Sequence, residues 1–384
     1  RALDANTTGY FNVAVGESAM GANTTGYQNI AVGYEALNLN TAGLGNVGVG
    51  HRALKKTTTG ANVAIGNDAA RENTTGSQFV AVGNSALVNN TTGGYCVAVG
   101  HSALRDNTTG TSNIGVGQAT LYYNETGQNN VAVGHYALEN NTNTNNVGIG
   151  FNALKANTSG GHNVAVGSYA LDANTTASSC TAVGVSALTS NTTGTVNTAV
   201  GRQALQDNTT GGYNQAFGYL TLQSNTTGSR NVGVGYSCLR LNTTGGDSIA
   251  IGYSTLNAQT TGNYNVGVGF EALRYNQTGS GNVAMGVDAL EDHTASNTTA
   301  IGYNALKENT SGTGNTAVGK GAIQTNTTGT DNTAVGLEAL QQNTGSYNTA
   351  IGRQALVANT SASGNTAVGY LALLSNTTGA DLVA

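Results

Sequence analysis

The chain has 384 residues, of which only 9% are charged, and a formal net charge of −5 with no block of either sign. The usual charged share is about a quarter, and without a clustered basic footprint neither nucleic acid nor a polybasic membrane anchor is an expected partner. No apolar run approaches the ~20 residues of a membrane span, no signal-like segment opens the chain, and the 56 glycines come without proline or a Gly-X-Y period, which excludes collagen.

Starting at Ala14-Val15-Gly16, a small residue, a β-branched residue and a glycine return at Gly33, Gly50, Gly66, Gly83 and Gly100, and at the same pace to Gly369. The 22 such glycines leave 21 intervals, 17 of them 17 residues long and 4 of them 16. A short fixed period that leaves no stretch outside it marks a solenoid, whose units bury their apolar faces against their neighbours. The expected fold is all-β: a parallel β-solenoid or β-roll of about 22 coils, filling residues 1–384 as a single array. Arg1-Ala2-Leu3 aligns with the second to fourth positions after a repeat glycine, and Leu382-Val383-Ala384 stops where Val-Gly would follow. The chain therefore reads as a window on a longer array, uncapped at both ends. The alternative is that separate subunits stack end to end and cap one another.

Within a coil, the residue before the glycine is Val or Ile in 20 of 22 cases, with Phe217 and Met285 as exceptions. Three before it stands Val, Ile or Thr, except at Gln215, and between the two lies only Ala or Gly. Alternation with β-branched residues predicts a short half-buried strand. Val15 and Val32, with Leu37 and Leu54 from the following segment, are expected to face the core. The small residue between the valines is expected to point outward, and Ala14, Ala31, Gly48 and Ala64 become the candidate oligomer contact. Association of chains is the simplest cause of such a stripe, with a second sheet of the same chain as the alternative. Four before the glycine, Asn recurs in 17 coils, either as a stacked ladder of side-chain amides or in a purely local turn role. After the glycine, Ala at the third position and Leu at the fourth predict a second short strand. A polar connection, usually Asn-Thr-Thr-Gly, closes the coil.

Asn-x-Ala-Val-Gly-x-x-Ala-Leu, as at residues 12–20, 29–37 and 332–340, resembles the head repeats of trimeric autotransporter adhesins and related arrays in phage-tail-fibre-like proteins. That resemblance covers the whole chain. It implies a left-handed parallel β-roll, three chains joined into one trimeric rod, an extracellular or cell-surface location, and binding of matrix proteins or surfaces. The coil here is longer than the adhesin repeat because of the Asn-Thr-Thr-Gly loop, and the neck, stalk, anchor and chaperone segments of those families do not occur in this sequence.

The loop is also an N-glycosylation acceptor triplet, Asn-x-Ser/Thr. The candidate sites are Asn6, Asn23, Asn73, Asn90, Asn107, Asn124, Asn140, Asn157, Asn174, Asn191, Asn208, Asn225, Asn242, Asn276, Asn297, Asn309, Asn326, Asn359 and Asn376. The same letters serve a tight turn. Two details favour sugar: Thr126 and Thr278 persist where the middle Thr is replaced, and triplets reappear at Asn140 and Asn297 where the regular slot fails at Asn141 and His293.

His51, His101 and His135 share the slot after the glycine, but they stand two or more coils apart, roughly 10 Å or beyond, too far for one metal. Tyr34, Tyr219, Tyr236, Tyr253, Tyr303 and Tyr370 share that slot too, and three on consecutive coils form an aromatic stripe that stacks on itself or on a sugar or partner. Cys96, Cys180 and Cys238 are separated by several coils, too far along a rod to pair within the chain, and read as small buried thiols. No recurring charged cluster or unique pocket points to catalysis, metal or cofactor. The expected function is a structural extracellular fibre or stalk, self-associating and glycosylated. The alternative is an adhesin head that binds a host, matrix or carbohydrate surface.

Overall fold

The computed structural model describes residues 1–384. The chain is an all-β parallel solenoid of 22 three-residue strands without a helix. It divides into two compact units, Arg1–Thr193 and Gly194–Ala384. The first holds the strands from Val13–Val15 to Thr181–Val183, the second those from Thr198–Val200 to Thr366–Val368.

Within each unit every strand pairs in parallel with the next in constant register. Val13, Ala14 and Val15 face Ile30, Ala31 and Val32, and Thr299, Ala300 and Ile301 face Thr316, Ala317 and Val318. The 16-residue coils keep this register, as where Val47 faces Val63, because the missing residue falls in the loop. Backbone pairing continues around the coil. Leu37 N–H donates to Ala53 O (3.0 Å) and Thr24 N–H to Thr41 O (2.9 Å), so the polar backbone of each coil is satisfied by its neighbours.

The strand faces are the reverse of the sequence expectation. The central Ala or Gly points inward: Ala31 and Ala64 have no exposure, whereas Val15 is 58% exposed and Ile30 40%. Val32 is half-buried. The expected core positions Leu37 and Leu54 are fully buried. The expected outward contact of Ala14, Ala31, Gly48 and Ala64 is therefore corrected, since this row faces the interior of its own chain. The cause is thickness. A Cβ added at Gly48 would lie 3.2 Å from Ala53 O and 3.3 Å from Leu37 Cγ, so the coil interior has room for a methyl group and no more. Where a larger residue sits opposite, the row gives way to glycine. Added Cβ atoms at Gly115 and Gly267 would lie 2.8 Å from Thr120 Oγ1 and 2.6 Å from Thr255 Cγ2.

The second expected strand is a run of turns. Ala36 N–H donates to Gly33 O, Asn38 N–H to Glu35 O and Asn40 N–H to Leu37 O. Glu35 and Leu37 have φ of 54° and 50°, the sign required at the third position of a type II turn. Ala36 and Leu37 are adjacent and both fully buried, which the alternation of a strand forbids. The repeat glycines take φ between 121° and 140°, a region that L-residues avoid. A Cβ on Gly33 would also lie 2.7 Å from the Gly50 carbonyl carbon.

The left-handed residues store local strain, and one can be relieved at an exposed position. Gln28 (φ 59°) is expected to gain about 0.5–1 kcal/mol on Gln28→Gly, because the left-handed conformation costs an L-residue ~1–2 kcal/mol, offset in part by unfolded-chain entropy. Denaturant unfolding of the two proteins checks it, and a loss of stability would contradict the assignment.

Candidate functional site

Two asparagine ladders run along the coils. In the first, the Asn four before the glycine accepts through Oδ1 from the backbone N–H of its counterpart in the next coil, as Asn29 does from Asn46 at 2.9 Å. Its Nδ2 donates to the next loop, as Asn29 does to Gly43 O at 2.8 Å. These contacts run chiefly from side chain to backbone. The second ladder consists of the loop asparagines and joins amide to amide. Asn90 Nδ2 donates to Asn73 Oδ1 and Asn107 Nδ2 to Asn90 Oδ1, both at 2.8 Å. Each also donates to the carbonyl three residues on. In the second unit Asn225 and Asn242 repeat the pattern at 2.7 and 2.8 Å.

This second ladder coincides with the candidate glycosylation sites. Asn23, Asn73, Asn90, Asn107, Asn124, Asn157, Asn174, Asn191, Asn208, Asn225, Asn242, Asn276, Asn309, Asn326 and Asn359 have no exposure, whereas Asn6 and Asn297 are exposed and Asn140 and Asn376 half-buried. A sugar is attached through Nδ2, so at each buried position it would have to displace the ladder from the coil interior.

Thr57, Gln259 and His293 stand in for Asn in the second ladder. Asn73 Nδ2 donates to Thr57 Oγ1 (3.0 Å), and Gln259 Nε2 donates to Asn242 Oδ1 (3.2 Å). Burial lowers the His293 pKa to about 4.

On the outside, the residues flanking the buried Ala or Gly form two rows of Val, Ile and Thr. Ile65, Ile114 and Ile149 are 38–41% exposed in the first unit, and Ile251, Ile301 and Ile351 are 38–42% exposed in the second. None of the 22 coils places a charged residue in either row.

The aromatic stripe extends one ring beyond the expected three. Centroids of Tyr219, Tyr236, Tyr253 and Phe270 follow at 5.5, 5.0 and 5.2 Å, and the last two pairs are stacked with nearly parallel planes. Arg202 covers the free face of Tyr219 at 5.9 Å. These ring faces are turned towards one another, leaving edges to solvent. His51 and His101 are exposed and His135 is half-buried against Tyr136, 3.9 Å between centroids. All three cysteines are buried, and burial raises the thiol pKa of Cys96 and Cys238.

The fold also gathers charges that the sequence analysis left apart. Glu271, Asp288 and Glu291 bring carboxylate oxygens within 4.8 Å of one another. Lys307 Nζ fills the cluster, 2.9 Å from Asp288 and 3.1 Å from Glu291, and Arg274 pairs with Glu271 at 2.8 Å. The hydrogen bond to Asp288 holds the Lys307 ammonium well above its ordinary pKa. Two cations of the chain are thus already paired with these three acids. The readable signal was an acid two positions after Gly269 and Gly286 (Glu271 and Asp288) and a charged residue five positions after Gly269, Gly286 and Gly302 (Arg274, Glu291 and Lys307). No family model and no curated protein matches the chain.

Proposed function

We propose that this chain is a non-catalytic structural segment of an extracellular fibre or stalk, with three copies packed about a common axis through their outward Val, Ile and Thr rows. The observation that carries this is the pair of outward rows that stay free of charge on every coil and consist of Val, Ile and Thr except at Gln215, Phe217 and Met285. Eleven coils at ~4.8 Å make a strip roughly 50 Å long and 10 Å wide in each unit, on the order of 500 Å². That is at the upper range of apolar patches on single chains and most of the ~800 Å² per partner of a standard interface. The resemblance to adhesin head repeats supports the trimer and the extracellular setting.

Mass measurement in native solution tests the reading. Three times 38.5 kDa is expected, and the double substitution Val234→Lys and Val268→Lys is expected to give a folded monomer with an unchanged circular dichroism spectrum. A monodisperse monomer of the unsubstituted chain would sink the proposal.

A further inference from the structure

We infer that Gln215 and Phe217 fix the register in which copies of this chain pack, an inference that rests on the self-association proposed above. A periodic interface has a weakness: sliding one copy by a coil exchanges one of Val, Ile and Thr for another of the three at most positions and loses only the contacts of one terminal coil. Residues that differ from the repeat are what make one register better than its neighbours.

The outward rows depart from Val, Ile and Thr at Gln215, Phe217 and Met285, and only the first two share a layer. Gln215 is the only residue three before a repeat glycine that is not Val, Ile or Thr, and Phe217 is the only aromatic residue just before one. They belong to the same strand, and both are exposed on either side of the buried Ala216. Their neighbours along the rows are Thr198 and Val200 on one side and Val232 and Val234 on the other.

In register, Gln215 meets Gln215 of the other copies about the axis. A primary amide carries both donor and acceptor, so like pairs with like, and the larger Phe217 rings share one layer. After a slip of one coil, the Gln215 amide of one copy faces Val232, which offers it no partner, while that of the other faces Thr198, whose single hydroxyl cannot match both amide donors and the acceptor, and each ring is set against a valine. A polar group closed off without its partner costs ~1–3 kcal/mol, enough to disfavour the slipped register on the order of tenfold or more. A single buried Asn fixes coiled-coil register by the same logic, at a cost in stability.

Disulfide trapping between copies tests the inference. Ile249→Cys, on the outward row, reports the in-register state by 249–249 bridges. Mixed copies carrying Val232→Cys and Ile249→Cys report a one-coil slip by 232–249 bridges. The native background is expected to yield 249–249 bridges almost alone. The double substitution Gln215→Thr and Phe217→Val installs residues the repeat uses elsewhere at these positions, so it preserves the coil. It is expected to raise the 232–249 yield at least tenfold. Mass measurement on the same samples separates the two failures. An oligomer with the same bridge pattern in both backgrounds overturns the register role and leaves self-association standing. A monomer overturns both.

Discussion

Lowering the pH from 7 to 4 is expected to loosen the coils around His293 by about 3 kcal/mol, and His293→Asn is expected to abolish most of that loss. His293 is fully buried in the second ladder. Its Nδ1 lies 2.8 Å from Asn309 Nδ2, and its Nε2 3.2 Å from Asn282 Oδ1. The arrangement fits a neutral ring that accepts at Nδ1 and donates at Nε2. A proton on Nδ1 would face an amide donor, with the Asn309 carbonyl at 3.3 Å as a poor substitute acceptor. Burial depresses the folded pKa to about 4 from an ordinary 6.5. Between those values the unfolded chain binds more protons, so stability falls as pH falls from about 6.5 to 4 and levels off below. At about 1.4 kcal/mol for each pKa unit the full loss is about 3 kcal/mol. The side chain is also a mismatch at neutral pH, for Asn276 Oδ1 in the preceding coil is buried without a partner. Amide exchange across residues 276–309, followed against pH in both proteins, reads the effect. The charged neighbours Glu291, Asp292, Lys307 and Glu308 are common to both, so the difference isolates the imidazole. Equal acid sensitivity would show that His293 is not the titrating group.

The period, the strand positions and the buried Leu were legible because 22 copies of one coil repeat them. Which face of the strand points inward was not. The rule that the larger apolar side chain goes inside presumes a core several side chains deep, and here the opposite backbone lies a methyl group away, as Gly48 and Ala53 show. The adjacent burial of Ala36 and Leu37 could have been read from the Ala-Leu pair itself, which no alternating strand accommodates. The second ladder was hidden because Asn-Thr-Thr is also an acceptor triplet. The replacements carried the missing signal: Thr57, Gln259 and His293 all hydrogen-bond in the coil interior, and none could carry an N-linked sugar.

That ambiguity can be separated at one loop. Asn107→Asp is expected to cost about 4 kcal/mol, and Thr109→Ala less than about 0.5 kcal/mol, although both abolish the acceptor triplet. Asn107 Nδ2 donates to Asn90 Oδ1 and to Gly110 O, at 2.8 and 3.0 Å, while its Oδ1 accepts from Asn124 Nδ2 at 3.2 Å. Aspartate keeps the acceptor and loses the donor. Two buried acceptors are then left facing a carboxylate oxygen, at ~1–3 kcal/mol each, and the carboxylate must either hold a buried charge or take up a proton. Thr109 is exposed, and the loop hydroxyl that reaches the next coil is that of Thr108, bonded to Glu125 O at 2.9 Å. Substitution at such a surface position changes stability little. Denaturant unfolding gives the two energies, and amide exchange over residues 90–124 shows whether the loss is local to the ladder. Intact mass of native protein completes the comparison. If Asn107 serves the ladder, the native chain carries no sugar there and only the aspartate variant is weakened. A native protein glycosylated at Asn107, with Asn107→Asp as stable as the parent, would make the loop a sugar acceptor and the ladder dispensable.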